Sequence, residues 1–368
     1  MVATTTAQCL SPAERAAALD RLVTLIDERF AVPDEGATLV KELKDRIAQG
    51  AYDRLATVDE FTEELTKDLQ KISNDGHMKL LARTLAIPEP PKQASKEEDY
   101  ALWTSQEEDE NDPHMKEFLH KQRFLNQGIE EIRMLPANIG YVNLISFPSP
   151  ESAAKAYAAL FTMFEHTNGL IIDIRKNTGG SLAADLLVSY LVKSSQRATV
   201  STIHRYSEAK STLHLHPTVA GPRYGVDRPV WVLTSETTFS AAEHFAQVAK
   251  ALGRVRIVGE NTGGGGRMCE DFWIHPNIDA RISVAFVRCE IDQGVWERVG
   301  VEPHVKCEAD EALDVALLEA LEKFVPAVEE DHVVMGLERY TFWADKTGVR
   351  TLAKLRAKRG GPVAASVV

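Results

Sequence analysis

A serine, a histidine and a glutamate stand at three places in this chain whose surroundings suit acyl-transfer chemistry. Ser240 lies in Thr234-Ser-Glu-Thr-Thr-Phe-Ser-Ala-Ala-Glu243. An apolar strand, Pro229 to Thr234, runs into a polar turn there, and a helix follows from Ala241. The N-terminus of a helix carries unpaired N–H donors and partial positive charge. A nucleophilic serine needs such donors beside it to hold an oxyanion. The same position also suits a plain helix cap. His77 closes Asn74-Asp-Gly-His77, where it can serve as a general base or as a cationic helix end. Glu297 sits in Gly294-Val-Trp-Glu-Arg-Val-Gly-Val-Glu-Pro303, where it can orient an imidazole or pair with Arg298 on the surface.

Glycines complete the set. Asp173-Ile-Arg-Lys-Asn-Thr-Gly-Gly180 ends a buried strand in a glycine pair, so the backbone at Gly179 and Gly180 can supply one arm of an oxyanion hole or simply make a tight turn. The run Gly263 to Gly266 has no Lys-Ser or Lys-Thr after it, which excludes a nucleotide P-loop. Gly263, Gly264 and Gly265 are instead expected to form a substrate-facing loop.

The elements that must position these residues come in two styles. Residues 11 to 75 read as helices. Ser11-Pro-Ala-Glu14 gives a helix start, and Leu19, Leu22, Val23, Leu25, Ile26 and Phe30 recur at helical spacing. Further helices are expected over 37–48 and after Thr57. From 136 onward strands and helices alternate, with near-continuous apolar strands at 139–147, 169–175, 229–234 and 254–260. Such a pattern predicts an α/β fold with a largely parallel sheet covered by helices. Residues 267–300 are expected to be antiparallel strands and 310–325 a helix. The expected organisation is a helical N-terminal domain over 1–87, a linker and acidic insert over 88–135, an α/β core over 136–330 and a C-terminal tail over 331–368.

Composition narrows the function. The chain has 368 residues, 44% apolar and 26% charged, with a net charge of −12. That charge argues against nucleic acid as a partner. No apolar run is long enough to span a bilayer, and the N-terminus lacks a basic and apolar leader, so a cytoplasmic location is expected. The four cysteines form no CxxC pattern, so neither a zinc site nor a disulfide framework is expected, although Cys269 and Cys289 lie near a possible hairpin. No metal or cofactor is predicted.

The motifs occur in a familiar order. Ile171-Ile-Asp-Ile-Arg-Lys-Asn-Thr-Gly-Gly180, then Thr238-Phe-Ser-Ala-Ala-Glu243, then Val258-Gly-Glu-Asn-Thr-Gly-Gly-Gly-Gly266 resemble peptidase family S41, the tail-specific (C-terminal processing) serine proteases. Leu135-Pro-Ala-Asn-Ile-Gly-Tyr-Val142 and the helical N-terminal region look most like the interphotoreceptor retinoid-binding protein branch. The resemblance covers residues 12–325. It implies a ClpP/crotonase-like fold, a twisted sheet with packed helices, and makes Ser240 the match to the family nucleophile. The processing proteases use a Ser-Lys dyad, but Gly265 occupies the lysine position here, and the segment between His77 and Ile139 is too short and has the wrong pattern for the PDZ domain of those proteases, so none is expected there. The tricorn-core branch uses serine, histidine and glutamate, and its pattern places the base at His77 and the orienting acid at Glu297. The oxyanion donors would then be Ala241 with Gly179 or Gly180. The expected function is a serine peptidase acting through an acyl-enzyme on a peptide or small acyl substrate. Two alternatives stand beside it: a non-catalytic module binding an apolar ligand around Phe239, Phe245, Trp273 and Trp296, and a related enzyme acting on a small biosynthetic peptide or ester.

Overall fold

In the computed structural model, residues 8–84, 86–89, 116, 120, 123–193, 199–205, 208–335 and 347–359 are described. The chain divides into two compact units. The first gathers the residues up to 109 with Ser201–Leu213 and Gly265–Arg298; the second holds Glu110–Val200, His214–Gly264 and Val299–Val368. The linker and acidic insert expected over 88–135 fall largely outside the described residues.

In the first unit two of the three helices start where the sequence marks them. Helix α1, Pro12–Arg29, begins at a reciprocal cap in which Glu14 N–H donates to Ser11 Oγ and Ser11 N–H donates to Glu14. Helix α2, Pro33–Ala48, starts earlier than the expected residue 37, because Pro33 suits the first turn and Asp34 and Glu35 favour its positive end. Helix α3, Val58–Ser73, repeats the reciprocal cap with Thr57 and Glu60. It stops at Asn74, which takes the left-handed conformation at φ 49°, ψ 43°. A short turn carrying His77 then leads into strand β1, Lys79–Ala82.

These helices do not pack only on one another. Their apolar stripes, with Leu22, Ile26, Phe61 and Leu65, share a core with Leu80, Ile274, Ile278, Ala280 and Ile282. The last four come from strands β9, Arg267–His275, and β10, Ile278–Cys289, which form the expected antiparallel pair. The sheet runs β1-β10-β5-β6, with β9 also paired to β10, β5 being Thr199–Arg205 and β6 Glu208–His214. An amphipathic helix gains most of its stability by burying its apolar face, and much of the surface buried here is supplied by a hairpin from late in the chain. All four cysteines are free. A bridge between Cys269 and Cys289 is not formed: the pairing sets Cys269 opposite Ser283, while Cys289 lies at the far end of β10 opposite Ser201.

The second unit is the α/β layer. Strands β2 (Ile129–Leu135), β3 (Ile139–Leu144), β4 (Gly169–Asp173), β7 (Val230–Thr234), β8 (Arg256–Gly259) and β11 (Val305–Lys306) form one sheet in the order β11-β8-β7-β4-β3-β2. All neighbours are parallel except β2 with β3. Strands β4 and β7 are buried along their whole length, as parallel strands covered on both faces must be. Helices α4 (Pro150–Met163), α5 (Ala183–Leu191) and α6 (Ala241–Ala251) alternate with the strands. Helix α7 (Ala312–Met335) shares a core with Ile139, Tyr141, Ile171, Trp231, Leu233 and Val258. Helix α8, Val349–Lys358, lies in the expected tail and adds Leu352 and Leu355 to this core. No helix among the described residues is long and apolar enough to cross a membrane.

Candidate active site

In the second unit the sheet is built so that the ends of β4 and β7 open side by side, with Asp173 in register with Leu233. Ligand sites of open parallel sheets form at such carboxyl ends. Ser240 follows β7 through a six-residue turn that is tied down at every step. Thr238 N–H donates to Ser235 O (3.0 Å), and Thr238 Oγ1 donates to Ile174 O (2.9 Å). Phe239 N–H donates to Asn177 O (3.0 Å), which fastens the turn to the loop after β4. Held this way, Ser240 adopts φ 57°, ψ −124°. A residue other than glycine occupies that region only when its surroundings force it there. A sharp, strained strand-to-helix turn of this kind is how hydrolases lift a serine hydroxyl clear of its backbone.

The plain cap fares less well. Ser240 and Glu243 have the outline of a capping box, yet Ser240 makes no side-chain cap hydrogen bond. Instead Glu243 N–H donates to the Ser240 carbonyl at 2.9 Å, and Ser240 N–H donates to Glu243 Oε2 at 3.0 Å. The Glu243 carboxylate is fully buried. Its other oxygen accepts Thr262 Oγ1–H (2.6 Å) and Gly264 N–H (2.7 Å). One side chain therefore fixes both the serine turn and the glycine-rich loop.

Gly179 and Gly180 differ in what they can offer. Gly179 sits against the serine: a Cβ there would lie 2.7 Å from Ser240 Cβ and 3.1 Å from Ala241 N. Its own N–H is spent on Asn177 Oδ1 (2.9 Å). Among the described residues, the N–H groups of Gly180 and Ala241 have no hydrogen-bond acceptor. The positive φ of Gly180, 137°, and its close approach to Phe147 O leave no room for a side chain. The loop glycines are engaged inward: Gly263 N–H donates to Thr238 O (2.9 Å), Gly264 N–H to Glu243, and Gly265 O accepts Trp296 Nε1–H (3.2 Å).

His77 and Glu297 belong to the first unit, in a buried cluster of charged side chains. His77 Nδ1 lies 3.3 Å from Asp75 Oδ1, and the His77 N–H donates to the same oxygen at 2.9 Å. Asp75 Oδ2 accepts Ser283 Oγ–H (2.6 Å) and Arg267 Nη1–H (3.2 Å). Arg267 also donates to Glu35 (2.6 Å) and stands 3.5 Å from Glu297 Oε1. Glu297 Oε2 accepts Gly266 N–H at 2.7 Å. Arg298 does not pair with its neighbour Glu297 but with Glu35, at 2.6 Å. Burial alone would raise the Asp75 carboxyl, but His77, Ser283 and Arg267 outweigh it and hold the pKa at about 2. Glu297 goes the other way. Burial first, and then the negative charge of Asp75, push its pKa up to about 7 against the pull of Arg267.

The sequence pattern of peptidase family S41 matches residues 138–307. The pattern for the N-terminal domain of family S41 peptidases in eukaryotic IRBP matches residues 12–124. The chain belongs to peptidase family S41. Its two matched regions agree with the resemblance to the retinoid-binding protein branch. Among curated relatives, the chloroplastic carboxyl-terminal-processing peptidase 3 of Arabidopsis thaliana is 28% identical over 55% of this chain and 38% of its own length. The carboxyl-terminal-processing protease of Synechocystis is 28% identical over 40% of this chain and 33% of its own length. The chain thus matches little more than a third of the length of these relatives. In fold it is similar to a lipoprotein from Streptococcus agalactiae, with a TM-score of 0.52 at 16% identity over 84% of this chain and 96% of that one.

Within this S41 chain three residues carry weight that their sequence context did not reveal. Asp75 and Asn177 lie inside motifs noted for their neighbours. Asn177 is fully buried and joins Leu144 O, Gly179 N–H and Phe239 N–H. Arg267 follows the glycine run as an unremarkable strand start. Only the fold shows that it links Asp75, Glu35 and Glu297. Among the described residues, no group of three or more histidines, cysteines or acids is placed to hold a metal ion.

Proposed function

We propose that this S41 chain is a serine peptidase that cleaves its substrate through an acyl-enzyme, with Ser240 as nucleophile, His77 as general base and Glu297 as a supporting carboxylate. The observation that carries this reading is the strained conformation of Ser240, φ 57° and ψ −124°, next to the unspent N–H groups of Ala241 and Gly180. A cap serine needs no such strain. In the proposed reaction His77 Nε2 takes the hydroxyl proton as Ser240 Oγ attacks the scissile carbonyl. Negative charge gathers on the carbonyl oxygen, where Ala241 N–H and Gly180 N–H hold it. The intermediate collapses, the amine leaves with the proton from His77, and water attacks the acyl-enzyme by the same path. Gly180 is preferred to Gly179 as donor because Asn177 already occupies the Gly179 N–H. Gly179 instead makes room for the serine. The loop from Gly263 to Gly265 acts on the substrate by its shape, since its hydrogen bonds to Thr238, Glu243 and Trp296 point into the protein.

The substrate is a peptide or a small acyl compound. Of the four aromatics offered for an apolar ligand, Phe245 and Trp296 are core residues at 0% and 1% exposure, while Phe239 and Trp273 are half-buried. The test is labelling of the whole chain with a fluorophosphonate probe, followed by mass mapping. Modification at Ser240 that disappears in His77→Ala, together with peptide hydrolysis lost in a folded Ser240→Ala variant, is the expected result. A folded protein that is never labelled would overturn the proposal.

A further inference from the structure

His77 has a carboxylate at its Nδ1 edge, and that carboxylate is not Glu297. The chain leaves α3 at left-handed Asn74 and turns at once through Asp75 and Gly76. This turn brings Asp75 Oδ1 to the His77 backbone N–H (2.9 Å) and to ring Nδ1 (3.3 Å) together. One oxygen thus accepts the backbone N–H of His77 and stands as an ion-pair partner beside its ring. The second oxygen is anchored from β9 and β10, by Arg267 Nη1 at 3.2 Å and Ser283 Oγ at 2.6 Å. The Asp75 side chain is completely enclosed, with all four of these groups around it. We propose that Asp75 is the positioning residue for His77, holding the neutral ring with its proton on Nδ1 and leaving Nε2 as the basic nitrogen.

Three observations favour Asp75 over Glu297 for this task. Asp75 stands at the ring nitrogen, whereas the hydrogen bond made by Glu297 is to Gly266 N–H. Asp75 stays ionised through the whole range in which a peptidase works, because His77, Ser283 and Arg267 outweigh its burial. Glu297 is held protonated up to about neutrality by burial and by Asp75 itself. An anion at Nδ1 does two things for a histidine base: it selects the tautomer and stabilises the imidazolium that forms during proton transfer. Glu297 then adds a second negative charge to the same cluster once it ionises.

The consequence for catalysis rests on the proposed roles of Ser240 and His77, but the placement of the proton does not. Nitrogen NMR of the full chain with labelled histidine separates the two. In the wild-type protein the neutral His77 ring is expected to show protonated Nδ1 and bare Nε2. In Asp75→Asn the population should move toward the Nε2-protonated form, because the amide can donate to Nδ1. The rate of fluorophosphonate labelling at Ser240 should fall with it, by about 10³-fold or more. Glu297→Gln is expected to leave the tautomer unchanged. A wild-type His77 with its proton on Nε2 overturns the proposal, and this needs no variant to fold. So does a folded Asp75→Asn protein with the wild-type tautomer and labelling rate. If wild-type Ser240 is not labelled at all, the peptidase reading fails, while the tautomer still decides the role of Asp75.

Discussion

Gly179 shows how much at this site depends on one missing atom. The serine turn, Thr238-Phe-Ser-Ala-Ala242, has no glycine of its own to relieve crowding around Ser240. The space comes from Gly179 in the loop after β4, where an added Cβ would come within 2.7 Å of Ser240 Cβ and 3.0 Å of Phe239 O. Its φ of 105° is also hostile to any side chain. Gly179→Ala is therefore expected to cost roughly 1–3 kcal/mol of stability. More tellingly, it should push Ser240 off its strained geometry. Fluorophosphonate labelling should drop well beyond what the loss of stability explains, measured on protein shown to be folded. Labelling at the wild-type rate would mean that the serine turn tolerates the intrusion and that its geometry is not what makes it reactive. At this scale the sequence was informative about type and silent about pairing. Ser240, His77 and Glu297 stand out because reactive side chains sit beside glycines and element ends. Asp75 was hidden because an aspartate in Asn-Asp-Gly looks like ordinary turn chemistry. What gives it a different role is Arg267 and Ser283, some two hundred positions away.

Between elements, Glu243 does for the serine turn and the glycine loop what Asn177 does for β3 and the turn. It begins α6, where a negative charge is favoured by the unpaired N–H groups of the helix end, and it spends that charge on Ser240 N–H, Thr262 Oγ1 and Gly264 N–H. Glu243→Gln keeps the shape but turns an NH₂ group toward N–H or O–H donors. A buried donor left without an acceptor costs about 1–3 kcal/mol. The expected outcome is faster hydrogen exchange at the Gly264 amide, with α6 itself still protected. Unchanged exchange at Gly264 would show that the loop is held by its other contacts. Element by element, the parallel core was legible because strands β4 and β7 are apolar throughout and punctuated by glycine and polar turns. Helix α8 was not, because a basic tail with small residues at its end carries no strong period. Its place is set by Leu352 and Leu355 meeting the α7 core. Nor could the helical pattern of the first residues reveal that much of their core comes from β9 and β10. Local periodicity shows which face is apolar, not what covers it.

The charged cluster in the first unit also makes the stability of the whole protein depend on pH, and its two carboxyls act in opposite directions. Asp75 is more acidic in the folded protein than in the unfolded chain. Its contribution is complete above its ordinary value of 3.8 and is lost as the pH falls toward about 2. Glu297 is less acidic when folded. Its folded form binds a proton that the unfolded chain has already released, so stability is fullest below 4.5 and declines as pH rises through about 7. Above that pH the buried charge costs roughly 3 kcal/mol, at about 1.4 kcal/mol per pH unit of displacement. Glu297→Gln keeps an oxygen for Gly266 N–H, and Arg267 retains Asp75 and Glu35. The variant should therefore be more stable than wild type at pH 8 by an amount of that order. The advantage should shrink steadily and vanish near pH 4, as followed by urea unfolding across the range. If the supporting role of Glu297 is also right, the same variant loses activity where it gains stability. Peptide hydrolysis by wild type should climb through neutral pH relative to Glu297→Gln, because the ionised carboxylate that strains the fold is the form that steadies a positive imidazolium. A variant stabilised equally at pH 4 and pH 8 would remove Glu297 from the titrating cluster. A variant that is stabilised only at high pH and yet fully active would leave the burden of holding His77 on Asp75 alone.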